Sequence, residues 1–227
     1  MGYHRAGFTV IGVDNSPQPN YPFLYFECDA LDFLRGLIQG VQVFGRYLEE
    51  FDVIHASPPC QAYSALKTMK NRREHPMLIG ELRTLLHKTF CPWVIENVRG
   101  APLNHPIMLC GSHFGLKAAN GYTLQRHRYF ETNFPMPLLS RPCMHGDKTV
   151  GVYGAKARDV AKEKRHYSQC KQTRGKPIGV VLHKSVAFQA MGIDWMNMDE
   201  LSEAIPPAYT QWIGEHARAA LGGGKVD

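Results

Sequence analysis

The chain has 227 residues, 44% of them hydrophobic, and a formal net charge of +6. It contains no apolar run of about 20 residues that would span a membrane, and its N-terminus has no apolar signal core. We therefore expect a soluble protein of the cytoplasm, without membrane contact, large enough for one α/β domain and a small appended segment.

The positive charge is concentrated in one part of the chain. Residues 126–184 hold 13 Lys and Arg against 4 Asp and Glu, whereas the remainder holds 13 against 16. A basic segment on a mildly acidic body favours a polyanion such as nucleic acid as partner. A basic face that serves only solubility is the alternative.

Short apolar runs alternate with helical patterns in the first half of the chain. This alternation predicts a mostly parallel sheet that is covered by helices on both faces. A helix is predicted over residues 30–48. The predicted strands are Phe8–Asp14, Phe23–Asp29, Phe51–Ser57, Trp93–Val98 and, as a fifth, Met108–Phe114.

The pattern changes after about residue 134, where Pro, Gly, Lys and Arg become frequent and apolar periodicity weakens. We predict an α/β domain over residues 1–134, a small loop-rich subdomain over 135–184, and a return to the first domain over 185–221. Helices are expected over Ser185–Met191 and Thr210–Leu221, and a disordered tail over 222–227.

Polar or reactive groups stand at several predicted strand ends, namely Asp14, Asp29, the Pro58-Pro59-Cys60 turn and Glu96. Ligands bind at the carboxyl ends of the strands in sheets of this type. One rim of the sheet is therefore predicted to carry a site. Cys60 follows two prolines on a rigid turn, which suits an exposed nucleophile, although a structural cysteine is the alternative.

Five blocks in a fixed order carry a resemblance to a known family. They are Gly2–Phe8, Ser57–Ser64 with its Pro-Pro-Cys-Gln, Ile95–Val98 with its Glu-Asn-Val, Gln125–Arg128, and Ile205–Tyr209. In this order they resemble the DNA cytosine C5-methyltransferase family. The resemblance implies a Rossmann-like S-adenosylmethionine-dependent methyltransferase sheet with helices on both faces. It also implies a small loop-rich target-recognition subdomain, which would be the basic segment.

The resemblance also implies covalent catalysis on double-stranded DNA. Cys60 would add to C6 of a flipped cytosine, Glu96 would hold N3, and Arg126 and Arg128 would supply positive charge. A strand-end ion pair is the alternative for Glu96, and phosphate contacts or a surface strand for the two arginines. Gln125 adjoins Arg126, whereas the family's Gln stands two residues before the first Arg, so Arg128 matches better than Gln125.

The remaining site residues follow from the same resemblance. S-adenosylmethionine would be held by Asp14, Asp29 and Pro58, with helix N-caps as the alternative for the two acids. Gln61, Ser64 and Gln125 would contact DNA, with turn capping as the alternative for Gln61 and Ser64. Basic side chains of the recognition segment would join them, namely Lys162, Lys164, Arg165, Lys171 and Arg174.

One element of the family is not found in this sequence, the first strand with its Phe-x-Gly-x-Gly-Gly loop. A start site assigned too late, a loop supplied by a second polypeptide, or a decayed gene would each account for this. We expect weak or absent methyl transfer by residues 1–227 alone.

Three functions are to be compared. The first is a DNA enzyme of a phage or of a restriction-modification system in a bacterial cell, and the second is an RNA enzyme of the same chemistry. The third is a DNA-binding remnant or one part of a split enzyme.

A metal site is not expected. Cys143-x-His145 and Cys170, with His166 or His183, offer zinc ligands, but their spacing matches no strong zinc pattern. We predict that these side chains bind no metal.

Overall fold

The computed structural model describes residues 1–63, 76–139, 141–152 and 184–222. The chain divides into two compact units, and each is considered for its described residues only. The first unit comprises Met1–Leu109, His127–Leu139 and Tyr209–Asp227, and the second comprises Cys110–Arg126 and Ser140–Ala208. In this division residues 110–126 and 185–208 belong to the second unit.

The described strands are short. They are β1 (Ile11–Asp14), β2 (Leu24–Glu27), β3 (Ile54–Ala56), β4 (Trp93–Asn97), β5 (Ile107–Leu109), β6 (Thr123–Leu124), β7 (Arg128–Thr132) and β8 (Thr149–Val150). The described α-helices are α1 (Gly2–Arg5), α2 (Ala30–Ile38), α3 (Ile79–His87), α4 (Lys184–Met191), α5 (Met198–Glu203) and α6 (Pro207–Gly222). The predicted helices over 185–191 and 210–221 are confirmed as α4 and α6. Within the described ranges, no helix is long and apolar enough to cross a membrane.

The described strands form three sheets, whereas the sequence predicted a single, mostly parallel sheet. β1 pairs with β2 in parallel, and a four-stranded sheet has the order β3-β4-β7-β5. In that sheet β3 and β4 are parallel, but β7 is antiparallel to both β4 and β5. The predicted strands β3, β4 and β5 therefore run in the same direction, and the antiparallel strand is β7, for which the sequence predicted no direction.

Burial differs between the strands of the first unit. All five residues of β4 are buried, whereas β1 and β3 are half-buried along their length. In the described part of the chain β1 pairs only with β2 and β3 only with β4, so each has one edge without a strand partner. The apolar run of β1 is typical of a buried strand, but the strand is only half-buried.

Helices α2 and α3 cover one face of β4 in the first unit. Leu34, Leu82, Leu86, Trp93 and Ile95 form a buried cluster there. Asp29 begins α2 by accepting hydrogen bonds from Leu31 N and Asp32 N. The helix ends at Ile38 rather than continuing to residue 48, since Gly40 takes the left-handed conformation (φ 73°) and turns the chain away.

The second unit has its own core. β6 and β8 pair in parallel, and Leu124 and Val150 pack with Ala187, Met191 and Leu201 in one buried cluster. The predicted fifth strand, Met108–Phe114, is shorter than expected. It ends at Leu109, and Gly111–Phe114 forms a 3-10 turn in which a side chain on Gly111 would meet the Leu124 carbonyl oxygen at 2.4 Å.

Candidate active site at the end of the central strands

The turn that carries Cys60 follows directly after β3. Two prolines fix the backbone after Ala56, and the Tyr63 amide donates to the Cys60 carbonyl at 3.0 Å. The Cys60 thiol is half-buried and not part of a disulfide. It is therefore held on a rigid turn at the carboxyl end of its strand.

Asn97 joins this turn to the neighbouring strand. Its Nδ2 donates to the Pro58 carbonyl at 2.8 Å, and its Oδ1 accepts from Val98 N at 2.9 Å. The asparagine is 1% exposed, so both ends of a buried amide have partners. Because β3 and β4 are parallel, with Ala56 opposite Ile95, the Cys60 turn and Glu96 lie at the same edge of the sheet.

Glu96 forms an ion pair with Arg128 across β4 and β7. Arg128 Nε lies 3.0 Å from Glu96 Oε1, and the two side chains are only 12% and 8% exposed. Arg128 also donates from Nη1 to the His127 carbonyl at 3.0 Å. A carboxylate in this position is oriented by a guanidinium in a partly dehydrated setting, where an ion pair interacts more strongly than on the surface.

The structure thus brings three predicted residues of the first unit, Cys60, Glu96 and Arg128, to one end of the four-stranded sheet. Such an arrangement offers a nucleophile, a hydrogen-bonding carboxyl group and a fixed positive charge. These are the parts that covalent attack on a polarised ring requires.

A hydrogen-bonded chain behind the turn was not predicted from the sequence. Tyr3 Oη lies 2.7 Å from His55 Nδ1, and His55 Nε2 lies 3.2 Å from Ser57 Oγ. Burial lowers the pKa of His55 to about 4, so the ring is neutral at pH 7. Burial also raises the pKa of Tyr3 above its usual range. The sequence signal that could have indicated these hydrogen bonds is a polar histidine within an otherwise apolar strand, two residues before Ser57.

Arg126 lies in the second unit and is fully buried. Its guanidinium donates to the carbonyls of Val152, Ser202 and Ala204, the latter two at 2.8 and 2.6 Å. Because the guanidinium donates to three backbone carbonyls, a structural role for Arg126 is favoured over its predicted role beside the reacting base. The backbone N–H of Gln125 donates to the Val150 carbonyl at 2.9 Å beside the β6–β8 pairing.

Of the residues predicted to hold the cofactor, Asp14 ends β1 and Asp29 follows β2 by two residues. Asp14 is half-buried and its Oδ1 accepts from Ser16 N at 2.9 Å. Asp29 is exposed and acts as the N-cap of α2, which is the alternative considered for it. Glu27, which ends β2 directly opposite Asp14, is an additional acid that the sequence did not single out.

Most residues predicted to contact DNA lie outside the described residues, namely Ser64, Lys162, Lys164, Arg165, Lys171 and Arg174. The same holds for Cys170, His166 and His183, and for residues 223–227 of the predicted tail. Gln61 is described, and it is exposed in the turn after Cys60.

Comparison with known proteins supports the fold. No family model matches the chain, and no curated protein sequence matches it. The crystal structure of a triple mutant of DNMT2 from Spodoptera frugiperda matches with a TM-score of 0.53 and 13% sequence identity, covering 96% of this chain and 96% of that chain. The chain is therefore a mixed α/β protein whose fold is similar to that of DNMT2.

Proposed function

We propose that this chain is a cytosine C5-methyltransferase that acts on double-stranded DNA with S-adenosylmethionine as methyl donor. The observation that carries the proposal is the Glu96–Arg128 ion pair at the sheet edge where Asn97 holds the Cys60 turn. The fold similarity to DNMT2 supports the same reaction class.

Each residue of the site has a defined part in the proposed reaction. The Cys60 thiolate adds to C6 of cytosine, and the Glu96 carboxyl group hydrogen-bonds at N3, where the negative charge that develops on the ring is taken up. Arg128 orients Glu96 and adds positive charge beside the ring. Once C5 carries the methyl group that S-adenosylmethionine would supply, loss of the C5 proton to a water molecule and release of the Cys60 thiolate would restore the aromatic ring.

S-adenosylmethionine supplies the methyl group when it is bound. Asp14 and Asp29 fit the polar part of this cofactor, because a carboxylate that ends β1 and one that follows the adjacent parallel strand β2 by two residues can accept from ribose hydroxyls and an adenine amine. Pro58 would add apolar contact. The edges of β1 and β3 without a strand partner in the described part of the chain suit one further strand from another segment or polypeptide. We include such a strand, carrying the glycine-rich loop, in the proposal.

Recognition of DNA is assigned to the basic part of the chain. Residues 126–184 carry 13 Lys and Arg against 4 Asp and Glu, which favours contact with phosphates. The face of a paired cytosine is inaccessible, so the base has to leave the stack, at a cost of roughly a few kcal/mol.

Two trapping probes test the nucleophile separately from methyl transfer. A duplex with 5-azacytosine at the target position accepts the thiol at C6 without requiring the cofactor. A duplex with 5-fluorocytosine accumulates an adduct only after methyl transfer, because fluorine cannot leave as a proton does. Denaturing gels and peptide mass spectrometry then identify the attached residue.

We expect an adduct on Cys60 with the 5-azacytosine duplex, and its loss in Cys60→Ser. Cys91→Ser is the matched control, because Cys91 is also a half-buried thiol and its replacement retains a donor for the Phe51 carbonyl. An adduct that persists in Cys60→Ser, or forms only with single-stranded RNA of the same sequence, would overturn the proposal as stated. DNA binding without any adduct would instead favour a non-catalytic DNA-binding protein.

A further inference from the structure

Two thiols and one imidazole meet in the second unit. The ligand atoms of Cys110, Cys143 and His145 lie within 4.8 Å of one another. His145 Nε2 is 3.6 Å from the Cys110 sulfur and 2.7 Å from the Cys143 sulfur. In the described ranges of the chain, no separate cluster of His, Cys, Asp and Glu side chains comes together in this way.

The backbone around this cluster is held by its own contacts. Cys110 is fully buried and precedes the 3-10 turn Gly111–Phe114. The Met144 amide, between the other two ligands, donates to Ser112 Oγ of that turn at 3.3 Å. The Thr123 amide also donates to the Lys148 carbonyl at 3.0 Å. Two hydrogen bonds therefore join the chain segments that supply the ligands.

We propose that Cys110, Cys143 and His145 bind a structural zinc ion. Thiolate and imidazole ligands suit zinc, and hard cations such as magnesium prefer oxygen. Zn–S and Zn–N bonds of about 2.3 and 2.05 Å separate S and N by about 3.5 Å in a tetrahedron, close to the Cys110–His145 distance. The Cys143–His145 contact would lengthen by about 0.8 Å, which a rotation of the exposed His145 side chain provides.

This ion would link the start of the second unit to the basic segment, because Cys143 and His145 lie within residues 126–184. Two thiolates bound to one divalent ion leave the cluster electrically neutral. Since metal binding of this kind couples to folding, the ion would stabilise this part of the second unit.

Metal content of the purified full chain tests the proposal. We expect one zinc per chain in the unmodified protein by mass spectrometry of the metal, and less than a tenth of that in Cys110→Ser/Cys143→Ser. The matched control is Cys28→Ser/Cys91→Ser, which removes two half-buried thiols elsewhere and should keep the full zinc content. Replacement of zinc by cobalt should give the strong visible absorption of tetrahedral cobalt thiolates.

If the double variant does not fold, His145→Ala gives the same information, because this residue is exposed and its removal should lower zinc content without loss of the fold. A folded, unmodified chain without zinc would overturn the proposal. Zinc content that is unchanged in both variants would also overturn it. A disulfide between Cys110 and Cys143, detected as a mass lower by two hydrogens, would do the same.

Discussion

The side chain of Asn97 donates to the backbone carbonyl of Pro58 at 2.8 Å and so links the end of β4 to the turn that carries Cys60. Its other end accepts the Val98 amide, and both groups are buried, so the orientation of the amide is determined by its partners. This contact relates the Pro-Pro-Cys block and the Glu-Asn-Val block through one hydrogen bond.

Replacement of Asn97 by Asp keeps the shape of the side chain but places a carboxylate oxygen against the Pro58 carbonyl. We expect the free energy of unfolding in urea to fall by about 2 kcal/mol, because a buried acceptor loses its donor. Alkylation of Cys60 should become faster as the turn loosens. Asn15→Asp, at an exposed position, is the control and should change neither quantity. An Asn97→Asp protein as stable as the unmodified chain would contradict the structural role of this contact.

The Glu96–Arg128 pair is expected to be coupled more strongly than a surface pair. A double-mutant cycle with Glu96→Gln and Arg128→Gln should give a coupling energy of about 2 kcal/mol, since both groups are nearly buried. The exposed pair Arg46–Glu50, at 2.8 Å, should give a clearly smaller coupling energy in the same measurement. Equal coupling energies in the two cycles would show that burial does not strengthen the pair.

Stability should depend on pH through His55. In the unfolded chain this residue binds a proton near the ordinary histidine pKa of 6.5, whereas burial holds the native pKa at about 4. Because the unfolded state binds more protons in this interval, the free energy of unfolding falls as the pH drops from 6.5 to 4, by on the order of 3 kcal/mol.

The measurement is urea unfolding at a series of pH values. His55→Gln should show a shallower fall over this interval, and His87→Gln, at an exposed position, should keep the slope of the unmodified chain. If His55→Gln lost stability with the same slope as the unmodified protein, the fall would have another origin.

Arg126 should matter for stability rather than for the reaction alone. A lysine has one ammonium group in place of a planar fork and cannot reach all three carbonyls that the guanidinium contacts. We therefore expect Arg126→Lys to lower the free energy of unfolding by about 3 kcal/mol, because buried acceptors lose their donors. Arg128→Lys is the comparison, with a smaller expected loss. If Arg126→Lys kept the stability of the unmodified chain but formed no adduct, the result would favour the predicted role of Arg126 beside the reacting base.

Helix positions were predictable where local signals agree. Asp29 and the apolar positions after it predicted α2, and the periodicity near the C-terminus predicted α4 and α6. The end of α2 was missed because the effect of Gly40 depends on its backbone conformation, which the residue type allows but does not require.

By itself, the sequence determined which residue types are available at strand ends, and in what order Cys60, Glu96 and Arg128 follow one another. Those are local properties of turns and apolar runs. Only the tertiary structure decided that β7 lies antiparallel beside β4 and that the Arg126 guanidinium donates to backbone carbonyls of the second unit. It also decided that Cys110 lies beside Cys143 and His145. These outcomes depend on contacts between distant parts of the chain, and hydrophobic spacing carries no information about which distant segments will pair.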